Sequence, residues 1–414
     1  MKNKILKMAF FNVIKHKRRT LLNSLTFSIN MIALIFVLGL VRGQYNMMID
    51  KTIDLQVGHL KIYKAGYIEE KKRMPLDIAI SNPDSVVADI LKIPNVKGAA
   101  KHIVSSGTLS SGSKKTGMMF IGIDPENEYT VTSAYNKVSG GALSRDSGEI
   151  YVGKKLASLM GLSPGDTMMI YARTKDNANN LVDAEVKGIY SAGFEYMEKN
   201  VAVVPFNYAS SFLGMNGSAT EIKIALDNKK YTAGVKKEIK KILDTKYPGL
   251  IVRDWGEEAP EIIFAIQQDM VTYAVVFAIL IFLSFFIIVN TLTISVFERT
   301  AEIGTLRAIG MQKNEIRRMF LIEGLILGSI GVIVGGLLVL PLVYQMNVVG
   351  IDMSGKGMEE LSMPFDPVMK AINEPLDWVI AALICLVSAA FGAWFPASRA
   401  AKTDIIHALK RGVK

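Results

Sequence analysis

The chain has 414 residues, a mean hydropathy of +0.28 and a formal net charge of +10, with 50% hydrophobic and 21% charged residues. Such a length suits roughly two or three soluble domains, but the positive hydropathy points instead to membrane segments joined to soluble mass. The single cysteine, Cys385, excludes an internal disulfide. The scattered histidines His16, His59, His102 and His407 have no metal-ligand spacing.

Residues 1–21 form a basic lead, with Lys2, Lys4, Lys7, Lys15, Lys17, Arg18 and Arg19 and no acid. An apolar span follows over 22–41. Asn23, Thr26 and Asn30 recur within it at helical spacing, a face that should pack on another helix. The run is full length and LVRGQYN supplies no small-residue cleavage site, so it reads as an uncleaved anchor rather than a signal peptide.

Residues 43–265 read as one large α+β region. GHLKIY is a strand, DSVVADILKI a helix with Asp84 as N-cap, and HIVSSGTLSS with TGMMFIGI a strand pair turning at GSKK. Farther on, EIKIAL is a strand. TAGVKKEIKKILDT is an amphipathic helix with Val235, Ile239 and Leu243 on one face, and LIVRDW is a strand. This order fits a split α+β sandwich. Between its halves, about 130–219, EIYVGKKLA, GDTMMIYA, DAEVKGIYS and VAVVPF suggest a separate β-rich insert.

Three more spans follow, over 270–296, 320–344 and 376–395, each long enough for a bilayer and free of central charge. A charged segment over 297–318 separates the first two. A short external loop over 345–375 carries Asp352, Glu359, Glu360, Asp366 and Glu374, with Asp377 just after it, and a basic tail occupies 396–414. The excess of Lys and Arg on the lead, the 297–318 segment and the tail places all three in the cytoplasm, with both termini inside and 43–265 outside. The basic total therefore lies beside membrane ends, which removes the motive for a nucleic-acid partner.

No catalytic constellation is found. Two phosphate-loop near misses, Gly148–Lys155 and Gly350–Gly357, lack the hydroxyl that would hold Mg²⁺. Glu323 is the acid nearest a span interior and is expected to snorkel or cap at the interface. Gly324, Gly328, Gly331 and Gly335 permit close helix packing, most simply within one subunit. Over 297–318, Ile303, Leu306 and Ile309 suggest an apolar stripe on one surface helix. Arg299, Arg307, Arg317 and Arg318 are free to reach carboxylates or carbonyls.

FERTAEIGTLRAIGM, residues 297–311, resembles the coupling-helix motif of the FtsX/MacB superfamily of ABC transporter permeases, the type VII mechanotransmitters. PASRAA at 396–401, VGHLKIYKAGY and IYVGKKLASLMGLSPGDTMMIY extend the likeness along the chain, with an FtsX-like permease domain at about 270–405. The layout is most similar to the LolC/LolE type of lipoprotein-releasing permease. The resemblance implies four transmembrane helices and a large extracytoplasmic domain with porter-like and β-rich Sabre-like parts. It implies a non-catalytic subunit of the inner membrane, with ATP and Mg bound by a separate, LolD-like ATPase. Glu298, Arg299, Glu302, Ile303, Gly304, Leu306, Arg307, Ala308 and Gly310 would contact that ATPase. Partners would be a second permease chain, identical or paralogous, membrane lipids and a periplasmic lipoprotein carrier. Acyl chains of a lipoprotein would lie against Leu34, Leu38, Val41, Phe264 and Met270. The alternatives are an FtsX-like transmitter activating a cell-wall hydrolase and MacB-like efflux of peptides or small molecules.

Overall fold

The computed structural model describes residues 2–15, 17–112, 114–352 and 368–402. His16, the acids Glu359, Glu360 and Asp366, the near-miss loop at Gly355–Gly357, and the tail residues His407, Lys410, Arg411 and Lys414 lie outside them. In chain order, the helices of eight residues or more are α1 (Lys2–Lys15), α2 (Lys17–Thr52), α3 (Pro83–Ile90), α4 (Phe206–Leu213), α5 (Thr232–Lys246), α6 (Pro260–Glu298), α7 (Thr300–Ala308), α8 (Lys313–Val348) and α9 (Pro375–Lys402). The chain divides into a helical unit, 1–46 with 265–353 and 368–414, and a second unit built on 47–264.

Among the described residues, four helical stretches are long and apolar enough to cross a membrane: Thr20–Val57, Pro260–Glu298, Lys313–Val348 and Pro375–Lys402. In the helical unit, α8 is the hub, and its glycines serve two neighbours. A Cβ built on Gly324 would stand 2.6 Å from Ala393 Cβ, and one on Gly328 2.8 Å from Ala389 Cβ, both on α9. A Cβ on Gly331 would stand 2.2 Å from Phe27 Cβ, and one on Gly335 2.6 Å from the Ser28 carbonyl, both on α2. Backbones approach this closely only where side chains are absent, so the glycine spacing is spent on contacts within the chain. Ser28 donates to the Gly331 carbonyl at 3.1 Å. Asn23 of α2 is buried, with Thr26 and Asn30 half-buried. At its other end α2 is tied to α9: Arg42 grips Asp377 through two hydrogen bonds of 3.0 and 2.7 Å and lies 3.1 Å from Glu374.

The second unit is one continuous sheet. Its strands are β1 (Leu60–Lys64), β2 (Val96–Ser111), β3 (Lys114–Ile123), β4 (Val138–Gly140), β5 (Glu149–Gly153), β6 (Thr167–Arg173), β7 (Asn179–Tyr190), β8 (Val201–Pro205), β9 (Glu221–Leu226) and β10 (Leu250–Asp254). They run in the order β10-β1-β9-β2-β3-β8-β5-β7-β4, with β6 bridging β7 back to β2. The path β2-β3-β8-β5-β7-β6 therefore returns on itself as a closed ring. Its inward residues, among them Leu109, Phe120, Ile150, Val152, Ile170, Val186 and Val204, form one core. The strict alternation of β6, with Met168, Ile170 and Ala172 buried between exposed neighbours, is the period-2 signature of that inner face. The separate insert expected over 130–219 is thus corrected: β2, sixteen residues long, belongs to both parts. Its first half pairs with β9 and its second half with β3 and β6.

Helices α3 and α5 cover one face of β10-β1-β9-β2, burying Val86, Ile90, Val235, Ile239 and Leu243 against Leu60, Ile62, Ile222 and Ile224. Asp84 is not the N-cap of α3. Asn82 holds that position without a side-chain bond, and Asp84 instead pairs with Lys101 at 2.6 Å. The opposite face of the same strands carries a buried charged layer. Lys61 meets Glu221 at 2.6 Å, His102 meets Glu128 at 2.7 Å and Glu221 at 3.5 Å, and Lys223 donates to the Asp54 carbonyl at 3.0 Å. Asp54 sits in the π-helical turn Ile53–Val57 that continues α2. Its carboxylate accepts from the Ser133 backbone at 2.9 Å and from the Ser133 hydroxyl.

Candidate coupling site

The 297–318 segment folds as a hairpin, not as one helix. Helix α6 ends at Glu298, Arg299 bends the chain (φ −102°, ψ 17°), and α7 follows. Gly310, at φ +101°, then supplies a left-handed turn that a side chain would strain. Gln312 and Glu315 close a reciprocal capping box that starts α8. Glu315, Arg317 and Arg318 accordingly belong to the first turns of the third long helix.

Arg299 is the keystone of the hairpin and is only 5% exposed. It donates to Glu323 at 3.0 Å and to Glu302 at 2.8 Å, and its guanidinium lies 5.3 Å from the Phe320 ring centroid. Glu323 is fully buried, so it neither snorkels nor caps: it neutralises Arg299. A buried carboxylate is tolerable when a cation with good geometry faces it. Arg307 donates to the Ala401 carbonyl at 3.0 Å and fastens α7 to the end of α9. Ile303 enters a core with Ile5 and Ala9 of α1, Ile316, Met319 and Phe320 of α8, and Ala397 and Ala400 of α9.

The expected residues therefore fall into two sets. Arg299, Ile303 and Gly304 are buried and hold α7 in place, with half-buried Leu306 and Arg307 beside them. Glu298, Glu302, Ala308 and Gly310 are exposed. The expected apolar stripe is corrected: Ile303 points inward while Ile309, at the cap of α7, is 80% exposed. Sequence reasoning missed Ile309 and Thr305 as outward-facing groups and Glu323 as an anchor. The first lies off the helical stripe because α7 ends early, and the last is 24 residues from its partner.

The five residues expected against acyl chains are not alike. Leu34 is buried in a core with Met31, Ile35, Val339 and Cys385, and Leu38 packs beside it. Leu34 is thus packed inside its own bundle, where it also lines a small cavity with Phe27, Asn30 and Ile281. Val41 is half-buried, and Met270 and Phe264 are exposed.

In the charged layer of the second unit, burial alone would push the His102 imidazole down. Glu128 and Glu221 outweigh that effect and hold it above its ordinary value. Burial would likewise raise Glu221, but Lys61 and His102 keep it well below the usual carboxylate range. Burial pushes the Lys223 ammonium down to about 8.

Four long apolar helices, a charged hairpin clamped between the second and third, and an α+β domain inserted after the first define a membrane permease. The FtsX-like permease C-terminal family model matches residues 274–405 and the MacB-like periplasmic core domain model matches residues 20–242; the chain belongs to the FtsX/MacB superfamily of ABC transporter permeases. It is similar to the lipoprotein-releasing system transmembrane protein LolC of Xylella fastidiosa, at 24% identity over 78% of this chain and 80% of the relative. It is also similar to the macrolide export ATP-binding/permease protein MacB 2 of Aeromonas hydrophila, at 22% identity over 98% of this chain and 60% of that one. The cell division protein FtsX of Streptococcus pneumoniae is 36% identical over 23% of this chain and 32% of its own length.

Proposed function

We propose that this chain is the non-catalytic membrane subunit through which a separate ABC ATPase, holding the ATP and Mg, drives movement outside the bilayer. In this reading both termini and the α7 hairpin are cytoplasmic, and the α+β unit lies on the far side of an inner membrane. The observation that carries it is the clamp on α7. A force-receiving element must be rigid toward its own bundle and open toward its driver. Arg299, Glu323 and Ile303 supply the first, while Glu298, Glu302, Thr305 and Ile309 supply the second. Basic side chains exposed near this end, such as Lys15, Lys17, Lys313, Arg318 and Lys402, support the orientation.

A second permease chain, identical or paralogous, would complete the assembly. Helix α6 supports this, because its apolar stretch is unburied among the described residues and presents Val271, Val275, Ile279, Phe282 and Phe286. Lipoprotein extraction from the outer leaflet is the favoured transport reaction, since a LolC relative aligns over most of both chains. Efflux of the MacB kind and FtsX-like signalling to a cell-wall hydrolase are the competing uses of the same machinery.

The test uses substitutions that leave the clamp alone. Ile309→Asp and Glu298→Lys should weaken association with the cognate ATPase by roughly fivefold or more, with unchanged thermal unfolding of the permease. Wild-type association in both would remove α7 as the docking element. Reconstitution with the ATPase and a triacylated lipoprotein should then give ATP-dependent release. Coupled hydrolysis without release would exclude lipoprotein as cargo and leave the coupling reading standing.

A further inference from the structure

Helices α8 and α9 are antiparallel neighbours, since Gly324 packs on Ala393 and Gly328 on Ala389. The first turns of α8, Lys313 to Arg318, therefore share one end of the pair with the last turns of α9. Before those last turns, α9 is apolar on its outer side. Leu383, Val387, Phe391 and Phe395, each four residues from the next, are all at least 50% exposed. Such a stripe, on a helix long and apolar enough to cross a bilayer, is a side that faces hydrocarbon rather than water. It ends in a cation: the Arg399 guanidinium lies 5.0 Å from the Phe395 ring centroid.

Trp394, 53% exposed, stands next to Phe395 and carries a second guanidinium. Arg317 of α8 reaches across to lie 5.2 Å from its ring centroid, and donates from Nη2 to Asn314 Oδ1 at 3.1 Å. Ala393 fixes the level of that residue, because it meets Gly324, seven residues beyond Arg317. The Arg317 side chain is thus held where the charged turns of α8 give way to its apolar run. Stacking occupies one face of the guanidinium and Asn314 one N–H, which leaves most of its planar donor edge open. Among the described residues no carboxylate pairs with it. Glu315, the acid of these turns, accepts from the Gln312 backbone, and α9 has no acid between Asp377 and its end. Exposed Lys313, one turn before Arg317, adds a further cation.

We infer that Arg317 and Trp394 form a site for an anionic phospholipid. The lipid phosphate accepts charge-assisted hydrogen bonds from the open edge of the guanidinium, and the acyl chains follow Trp394, Phe391 and Val387 along α9. A cation at the end of an apolar stripe matches the layout of an acidic lipid, charge first and chains behind, and that complementarity selects the occupant. Exposed Trp beside Arg at the end of an apolar helix is also what a headgroup layer favours. Arg307 fastens α7 to the Ala401 carbonyl, two residues after Arg399, so a bound lipid steadies the part of α9 on which the hairpin is seated. The inference rests on the reading of α8 and α9 as membrane spans.

Trp255→Phe and Trp378→Phe leave Trp394 as the sole tryptophan of the full chain. The protein is placed in vesicles of fixed phosphatidylcholine and phosphatidylglycerol content, with bromine on the chains of one lipid or the other at equal mole fraction. Brominated phosphatidylglycerol should quench Trp394 as though enriched about fivefold over its share, the attraction of one Arg near an anionic surface. Arg317→Gln should erase this selectivity while bromine in either lipid still quenches, and Lys313→Gln should keep most of it. Equal quenching by the two lipids in the parent protein, or selectivity that survives Arg317→Gln, would overturn the proposal alone. So would an equal loss in Lys313→Gln, which would reduce the site to diffuse attraction. Shielding of Trp394 from bromine and from aqueous acrylamide alike would assign this face to protein and sink the lipid site. Trp394 open to acrylamide and untouched by either brominated lipid would overturn the span reading beneath it. Loss of selectivity in inorganic phosphate, but not in chloride of the same ionic strength, would make free phosphate the ligand in place of the lipid.

Discussion

Arg299 and Glu323 meet in the interior of the helical bundle, with Arg299 5% and Glu323 0% exposed. Removing one member unbalances a buried charge pair, which costs up to about 3–5 kcal/mol, whereas replacing both with apolar groups of similar volume is close to neutral. Glu323→Gln and Arg299→Met should therefore each lower the unfolding midpoint sharply in denaturant titrations, and Arg299→Met with Glu323→Leu should recover much of the loss. Equal destabilisation in the double variant would mean that the hydrogen bonds, not charge balance, matter at this site. Glu302 is different: its side chain is 47% exposed and its bond to Arg299 faces solvent, so Glu302→Ala should cost no more than about 1 kcal/mol. The motif residues thus separate by measurement into those that hold α7 and those it presents. Spacing on a helical wheel could not make that division, because the bend at Arg299 and the turn at Gly310 reset the phase.

Elements were legible where a period was clean. Helix α5 buries Val235, Ile239 and Leu243 at the spacing read from its sequence, and β9 and β10 lie where their apolar runs do. Pairing was less legible. β2 joins three partners along sixteen residues, and no local pattern announces that one strand serves both an open sheet and a closed ring. Glycine spacing in α8 spoke of close packing without naming the neighbours. The structure divides the glycines into a pair toward α9 and a pair toward α2. Gly331→Ala should then loosen α2 specifically, since its Cβ would stand 2.8 Å from the Ser24 carbonyl as well as against Phe27. Overpacking of this kind costs about 1–3 kcal/mol. In a Cys385→Ala background, cross-linking yield between cysteines introduced at Met31 and Val339 should fall in that variant, while yield between the Leu327 and Ala389 positions should not. A uniform fall would point to general unfolding rather than a displaced α2.

At the scale of the whole molecule, the buried charged layer gives the α+β unit a pH response. His102 has a raised pKa, so its stabilising interaction with Glu128 and Glu221 is complete below its ordinary value of 6.5 and is lost as pH rises through the folded value. Lys223 works in the opposite sense. Its folded value of about 8 lies below the ordinary 10.5, so between these the unfolded chain holds the extra proton and stability climbs with pH, by at most about 3 kcal/mol. The expected curve for the full chain falls above about pH 6.5 and recovers from about pH 8 to 10.5. Trp255 lies in this unit, so its fluorescence, with Trp378→Phe and Trp394→Phe, follows urea unfolding there. His102→Gln should flatten the fall and Lys223→Met the recovery. Lys223→Met also removes the bond to the Asp54 carbonyl, in the turn that continues α2. If the layer fastens that turn as the geometry implies, hydrogen exchange over 53–57 should quicken in this variant even at pH 7, where the wild-type amine is still charged. Unchanged exchange there would confine Lys223 to a stability role and leave Asp54 held by Thr132 and Ser133 alone.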